Sequence, residues 1–475
     1  MDLDHAVCWR AVRTRDARFD GRFFTAVHTT GIYCRPICPA RPPRPENVTF
    51  YPTAAAAQAA GFRPCLRCRP ETSPDLAAWH GTSNTVTRAL ALIETGAMDA
   101  SDVESLAGRL GVGARQLRRL FRQHIGASPI AVAQTRRVLL ARQLIHETTL
   151  PMTQVALAAG FRSVRRFNET FHALFDRPPL ALRRGKTTTG RDAITLELAY
   201  RPPYDWCGII GFLSVRAIPG IESVTPGRYS RVICGGELTV EPGKGDFLRA
   251  TLRLSDLTRL PAAVSRTRRL FDLSADPIAI GRNLSEDPLL APLVARRPGL
   301  RVPGAWDGFE LAIRAILGQQ ITVAAATALA GKLVAAYGIP DSAVIAKLDP
   351  ADLARTLGMP QTRAAALCSL ARAAAGDPAL FHPAGSLEEA IARLRSLPGI
   401  GAWTAHYIAM RELREPDAFP HTDIGLLRAL AGHEGKRPAP AQLLARAERW
   451  RPWRAYAALH LWHSEADGKT QAHAA

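Results

Sequence analysis

Tyr33-Cys34-Arg35-Pro36-Ile37-Cys38, followed after 26 intervening residues by Cys65-Leu66-Arg67-Cys68, places four of the chain's eight cysteines in one short stretch. Two thiol pairs at Cys-x3-Cys and Cys-x2-Cys spacing read as the two bites of one tetrahedral metal site. A disulfide framework belongs to short chains in oxidising surroundings. This chain has 475 residues and begins MDLDHAVCWRAV, with charges and no apolar signal core. The expected compartment is therefore reducing and cytoplasmic, and the expected ion is a single Zn2+. Four thiolates suit zinc because it is borderline soft and has no geometric preference of its own. The spacing is equally that of a purely structural zinc ribbon, so reactivity has to be argued from other residues.

The length predicts about three domains, since single cores seldom exceed roughly 250 residues. At 47% hydrophobic the chain can bury real cores, and it contains no run of apolar residues long enough to span a bilayer. A formal charge of +19 and a pI near 10.3 favour a polyanionic partner. Nucleic acid comes first and an anionic membrane surface second. The basic residues are mostly Arg, whose fork matches phosphate oxygens and guanine edges. Ala, Arg and Pro enrichment together also follows from a GC-rich genome, so charge alone identifies nothing.

Composition marks the boundaries. Pro39 to Pro45 is a loop between the two cysteine pairs, and helical periodicity starts after about Asp75. The polar stretch RRGKTTTGR, Arg183 to Arg191, reads as a flexible linker. Between these lies an approximate repeat. Leu106-Ala107-x-x-Leu110-Gly111-Val112 recurs 49 residues later as Val155-Ala156-x-x-Ala159-Gly160-Phe161, each followed by a basic segment. In a helix-turn-helix the small Ala lets two helices approach, and the Gly turns the chain. The next helix then enters the major groove. Arg115, Arg118 and Arg119 follow the first turn, and Arg162, Arg165 and Arg166 the second. Leu117, Leu120 and Phe121, then Phe167 and Phe171, would face the core. A plain helical bundle with a basic face is the competing interpretation, but duplicated turns each leading into an Arg-rich helix are unusual there.

The stretch FFTAVHTTGIYCRPICPARPPRPENVTFYPTAAAAQAAGFRPCLRCRPE, Phe23 to Glu71, with the paired turns behind it, resembles the amino-terminal part of the Ada adaptive-response regulators. These join a zinc-bound methyl acceptor to an AraC-type pair of helix-turn-helix units. The resemblance implies that Cys34 takes the methyl group of a DNA methylphosphotriester, with Cys34, Cys38, Cys65 and Cys68 as the zinc ligands. A thiolate is the competent nucleophile, and zinc keeps it deprotonated. Zinc with four thiolates carries a formal charge of two minus, which methylation halves, so repulsion from DNA phosphates should fall and promoter binding tighten. Full-form relatives carry a second acceptor cysteine in a Pro-Cys-His-Arg run. This chain has none, and Cys8, Cys207, Cys234 and Cys368 read as isolated thiols.

In the last 280 or so residues, Leu397-Pro398-Gly399-Ile400-Gly401 leads into Ala402-Trp403-Thr404-Ala405, the signature of a helix-hairpin-helix. Gly399 and Gly401 permit a tight turn with exposed amides, and the following helix N-terminus faces a DNA phosphate without reading sequence. Asp423, 22 residues after Gly401, can sit beside the hairpin, although the Thr422-Asp423 pair also suits a helix cap. With RPPYDWCGIIGFLSVRA, FDLSADP, RPGLRVPGAWDGFELAIRAILGQQITVAAA and ERWRPWRAYAALHLWHSE, this part resembles the helix-hairpin-helix DNA glycosylases. Within them it is similar to 3-methyladenine DNA glycosylase II, from about Leu196 to Glu465.

Breaking the bond between base and sugar builds positive charge on the deoxyribose, and a carboxylate beside the ring stabilises it. Asp423 is the expected carboxylate. Relatives that also cut the strand place a Lys where this chain has Trp403, so the resemblance implies a monofunctional enzyme leaving an abasic site. It further implies that Phe212, Trp403, Tyr407 and Trp462 line the flipped-base pocket, that Gln320 fills the vacated stack, and that the hairpin holds a monovalent cation through backbone carbonyls. Asp307 and Asp352 read as caps or solvated charges rather than as second acids.

The expected chain is multidomain and mainly α with α+β parts. A four-cysteine zinc α+β module (1–75) precedes an AraC-type double helix-turn-helix (80–184) and a linker (185–192). A small antiparallel β-sheet domain with the start of the helical body (193–305), a helical helix-hairpin-helix glycosylase body (306–466) and a tail (467–475) follow. Double-stranded DNA, both damaged and promoter, is the expected partner, with RNA polymerase contact as an activator, no membrane, a nucleoid-associated location and a monomeric state. Two functions of different class compete: a fused repair enzyme and sensor, or a transcription regulator whose glycosylase half only adds DNA affinity. Asp423 and the aromatic set favour the first, because a binding module does not need that carboxylate.

Overall fold

The computed structural model describes residues 3–73, 84–183, 193–435 and 437–474. The expected linker at 185–192 lies outside them, as does the junction between 75 and 80. Nine strands occur among the described residues: β1 (Phe24–Val27), β2 (Ile32–Cys34), β3 (Val48–Tyr51), β4 (Arg63–Pro64), β5 (Ile194–Ala199), β6 (Glu222–Thr225), β7 (Arg228–Ile233), β8 (Gly236–Pro242) and β9 (Phe247–Leu254). The chain divides into two compact units. One comprises Met1–Arg201, Cys234–Ser265 and Leu273–Ala275; the other comprises Pro202–Ile233, Arg266–Asp272 and Asp276–Ala475.

In the first unit, β1 to β4 form a sheet in the order β3-β1-β2-β4, antiparallel except for the β2–β4 pair. The helix Ala54–Ala59 closes over Phe24, Ala26, Tyr33 and Phe62, which gives the expected α+β module. Two helix pairs follow: Val103–Arg109 with Ala114–Ile125, and Met152–Ala158 with Val164–Phe175. The second helix of each pair buries one residue per turn, Leu117, Phe121 and Ile125 in one and Phe167, Phe171 and Phe175 in the other. Residues four apart share a helix face, and each such side chain contributes roughly 1.5–3 kcal/mol on burial. Asp102 and Ser163 cap one helix in each pair, accepting from the Ser105 and Arg166 amides at 2.9 and 3.2 Å. Gly160 turns with φ of +88°, and a Cβ there would meet the Asp99 carboxylate at 2.3 Å, so only glycine fits. The long helix Pro129–Glu147 links the pairs, and β5, β9 and β8 pair antiparallel in the same unit.

The second unit is mostly helical, with the antiparallel hairpin β6–β7 and a helix Trp206–Ser214 within the 193–305 stretch where a small β-sheet domain was expected. Its interior carries charge. Arg231 pairs with Glu310 at 2.8 Å, and Arg314 reaches both Glu222 and Glu310 at 2.6 Å. The helix Gly308–Leu317 is capped by Asp307, whose carboxylate accepts from the Phe309 and Glu310 amides at 3.0 and 3.2 Å. Asp352 is exposed in the first turn of the helix Pro350–Leu357 and pairs with Arg355. Both therefore do what was expected of them.

Two histidines drawn into the interior make this unit sensitive to acid. Burial, then the neighbouring His421 and Arg454, pushes His406 down to about 4, and burial with His463 does the same to His460. The unfolded chain binds protons to both rings below about 6.5 while the folded chain resists until about 4. Stability is therefore complete above pH 6.5 and falls as pH drops through that window, by up to about 3 kcal/mol per ring. Denaturant melts at pH 7 and pH 4.5, compared with the same melts on the His406→Gln chain, measure it: the variant should lose less between the two pH values.

Candidate metal centre, DNA-reading helices and active site

Cys34 ends β2, Cys38 follows in a turn whose amide donates to the Arg35 carbonyl at 3.1 Å, and Cys65 and Cys68 follow β4. The Cys65 amide donates to the Tyr33 carbonyl at 3.0 Å, so the sheet itself brings the two pairs together. All four Sγ atoms lie within 4.8 Å of one another, and this is the one such cluster among the described residues. A tetrahedral zinc–sulfur site has sulfur–sulfur edges of about 3.8 Å, so the donors fit zinc in number, kind and spacing. Sharing protons at this distance splits the thiols. Hydrogen bonding to Cys38 raises Cys34, while hydrogen bonding with Cys34 drives Cys65 far below the ordinary thiol range. A dication relieves that conflict for all four.

The loops carrying these cysteines are held by buried arginines. The Arg35 amide donates to Cys68 Sγ at 3.3 Å, and its guanidinium reaches the Cys68 carbonyl, Thr72 Oγ1 and Asp20. Arg142, on the long helix and fully buried, donates to the Cys65 carbonyl at 3.1 Å and pairs with Glu71 at 3.2 Å. Arg69 bridges Glu71 and Glu147, and Glu147 accepts from the amide of Glu197 in β5 at 3.0 Å. Arg201, just beyond β5, donates to the carbonyls of Arg18 and Asp20. None of these ties was visible in the sequence.

In the helix-turn-helix pair, Arg115, Arg118, Arg119, Arg162, Arg165 and Arg166 are all exposed, Arg162 just ahead of the cap Ser163 and the others on the second helices. Arg118 pairs with Glu104 and Arg165 with Glu169, exposed and solvent-screened pairs that a phosphate can displace. Replacing Arg115, Arg118 and Arg119 together with Ala should lower the steepness of log K against log salt by about 0.9 for each phosphate that is no longer neutralised. A fluorescence-anisotropy salt titration reads this, and an unchanged slope would place DNA elsewhere.

In the second unit Asp423 is the N-cap of the helix Ile424–Glu434 and also the centre of a polar cluster. Its Oδ1 accepts from the Leu426 amide at 3.0 Å and from Trp462 Nε1 at 2.8 Å, and its Oδ2 from Trp403 Nε1 at 2.7 Å. The cap and the candidate acid are thus one residue. Trp403 stacks on Tyr407 with centroids 5.0 Å apart. Phe212 joins through Arg411, whose guanidinium lies 4.9 Å from the Phe212 ring and 5.3 Å from Tyr407, and donates to the Tyr407 hydroxyl at 2.7 Å. All five expected residues therefore converge.

Two arginines beside them were missed. Arg216 lies 3.8 Å over Phe212, four residues along from it, and burial lowers its guanidinium below the ordinary value. Burial raises the Tyr407 phenol, but Arg411 and Arg216 outweigh it and the net shift is downward. The spacing of Arg216 from Phe212 and of Arg411 from Tyr407 was the available signal.

Gly399 turns with φ of +81°, and a Cβ there would strike Ala366 at 2.5 Å. Gly401 is different from the expectation: it is the extended N-cap of the helix Ala402–Arg411, and no left-handed turn requires it. Gln320 is exposed with φ of +61°, and the residue before it, Gln319, donates to the Gly399 carbonyl of this hairpin at 2.8 Å. An open cleft is lined by Gln319 and residues 395–401.

Comparison with known proteins follows the same division. Family models match for the metal binding domain of Ada over residues 7–71, a helix-turn-helix domain over 106–185, the AlkA N-terminal domain over 195–307 and the HhH-GPD superfamily of base excision DNA repair proteins over 313–455. A Mycobacterium tuberculosis protein named as a probable bifunctional transcriptional activator/DNA repair enzyme AlkA is 43% identical over 97% of both chains. The Escherichia coli DNA-3-methyladenine glycosylase 2 is 38% identical over 56% of this chain and 96% of its own. The Escherichia coli bifunctional transcriptional activator/DNA repair enzyme Ada is 39% identical over 32% of this chain and 42% of its own. The chain belongs to the family of bifunctional proteins that join an Ada-type metal-binding and helix-turn-helix half to an AlkA-type base excision repair half.

Proposed function

We propose that this protein excises alkylated purines such as 3-methyladenine from duplex DNA, leaving an abasic site, and that its Cys34 accepts methyl groups from DNA methylphosphotriesters to control transcription. The observation that carries the first activity is the Asp423 carboxylate held between two indole N–H donors. The flipped base leaves with the electron pair of its glycosidic bond, and positive charge grows on the sugar beside Asp423. Water then bonds to that carbon, and its proton passes to Asp423 or to solvent. Trp403, Tyr407 and Trp462 supply aromatic faces for an electron-poor base. Trp403 leaves no amine for strand cleavage, so a borohydride-trapped adduct is not expected.

For methyl transfer, zinc, when bound by the four cysteines, keeps their sulfurs as thiolates at neutral pH. Backbone amides donate to the sulfurs of Cys68, Cys65 and Cys38, and such bonds draw charge from a thiolate. Cys34 and Cys38 are half-buried while Cys65 and Cys68 are buried, and of the two half-buried sulfurs only that of Cys38 has a backbone donor among the described residues. That favours Cys34 as the nucleophile. Its sulfur bonds to the methyl carbon as the carbon–oxygen bond breaks, and the electron pair stays on the phosphate as a diester anion. The metal-bearing module, its formal negative charge halved, then meets DNA with less repulsion, and the helix-turn-helix pair holds a promoter for RNA polymerase. A monovalent cation at the hairpin carbonyls, a monomeric state and a nucleoid location complete the proposal. No helix among the described residues is long and apolar enough to cross a membrane.

Incubation with methylated duplex DNA, scoring released bases and protein-bound methyl separately, tests both halves. Asp423→Asn should fail only in base release and Cys34→Ala only in methyl capture. A parent chain that binds DNA but releases no base would leave a regulator whose second half only adds affinity.

A further inference from the structure

Gln320 is an exposed non-glycine residue at φ of +61°, a conformation that costs roughly 1–2 kcal/mol and persists only where the surroundings impose it. What imposes it is the residue before. The helix Gly308–Leu317 ends at Gly318, and the helix Val323–Tyr337 starts behind its cap Thr322, so residues 319–321 are a short strap between two helix ends. Gln319 anchors this strap. Its Nε2 donates to the Gly399 carbonyl at 2.8 Å and to Thr404 Oγ1 at 3.2 Å, and its own carbonyl accepts from Arg363 at 2.7 Å. Gly399 is the left-handed residue of the hairpin, and Thr404 is buried on the helix that also carries Trp403. One amide group therefore joins three parts: the hairpin, the helix that holds the Asp423 partner, and the strap that presents Gln320.

We infer that Gln319 is a positioning residue for base flipping, which sets the depth of Gln320 against the hairpin once that hairpin has gripped the backbone. The inference rests on the proposed glycosylase activity. A hairpin seated on a phosphate fixes one edge of the duplex, and a plug can enter the stack at the right height only if its distance from that edge is constant. Without the Gln319 amide the strap keeps its two helix ends but loses its registration to the hairpin.

The test compares Gln319→Ala and Gln319→Glu with the parent on two duplexes, one with the damaged purine normally paired and one with it opposite an abasic site. Glu keeps the length but turns the donor into an acceptor facing the Gly399 carbonyl. In the second duplex unstacking is already partly accomplished, so positioning matters less. Single-turnover release from the paired duplex should fall about tenfold or more in both variants, with a loss below about threefold on the abasic-opposed duplex. Affinity for undamaged duplex should change by less than about threefold, because the hairpin grip remains. Equal losses on both duplexes, or no loss on either, would overturn the inference. Absence of release by the parent from either duplex would instead remove the glycosylase activity on which it rests.

Discussion

Asp423→Asn should slow release of damaged purines by about 10²- to 10³-fold, the scale of losing one preorganised charged group at a transition state. Asn is as good an N-cap as Asp, so the Leu426 amide keeps its acceptor. The cost to folding comes from the other oxygen. Trp403 Nε1 donates to Oδ2, and an amide nitrogen turned toward it leaves two donors face to face. An orphaned donor costs about 1–3 kcal/mol when buried, and this one is half-buried, so the variant melts slightly lower yet remains folded. Asp423→Ala should melt lower still, because it removes the cap and the acceptor for both indoles. Single-turnover release beside thermal melts of the two variants separates charge from scaffold. If the Asn chain releases purines at the parent rate, the carboxylate is only a cap.

Cys38→Ala should abolish stoichiometric zinc and loosen more than the cysteine loops. Structural zinc sites contribute on the order of 10 kcal/mol in small peptides, and this module adds its own aromatic core, so the outcome here is partial unfolding. The Cys65 and Cys68 loops anchor Arg142 and Arg35, and through Glu71, Arg69 and Glu147 they reach the Glu197 amide. Hydrogen exchange at Glu197 should therefore quicken when zinc is removed, with elemental analysis confirming the removal. Unchanged protection at Glu197 would show that the chain of ion pairs transmits nothing.

Short-range chemistry was legible in the sequence. Each cysteine pair, the two Ala–Gly turns and the hairpin are motifs written within a few residues, whereas the meeting of the two cysteine pairs and of Asp423 with Trp403 and Trp462 depends on the fold. Asp423 shows why the capping and catalytic interpretations could not be separated beforehand: the oxygen that caps the helix also accepts from Trp462, and the proposed catalytic role falls on the same carboxylate. The helix Trp206–Ser214 was missed because a uniformly apolar segment carries no period. Arg142, Arg201 and Glu147 escaped because their partners lie far away in the chain, and an Arg on a basic chain reads as solvated charge until its partner is seen. Arg216 and Arg411 had a signal in their spacing from Phe212 and Tyr407, but an arginine four residues after an aromatic is too common to single them out.

The Glu147–Glu197 bond bears on how this protein can be divided. A regulator fragment cut at residue 183 would shed β5 and Arg201, exposing Glu147 and releasing the carbonyls of Arg18 and Asp20. Such a piece would keep its ligands and its DNA-reading helices, yet its metal-bearing loops would answer to fewer restraints than in the intact chain. The gene fusion has thus become a structural dependence, in which the sensor borrows part of its rigidity from the first strand of the enzyme.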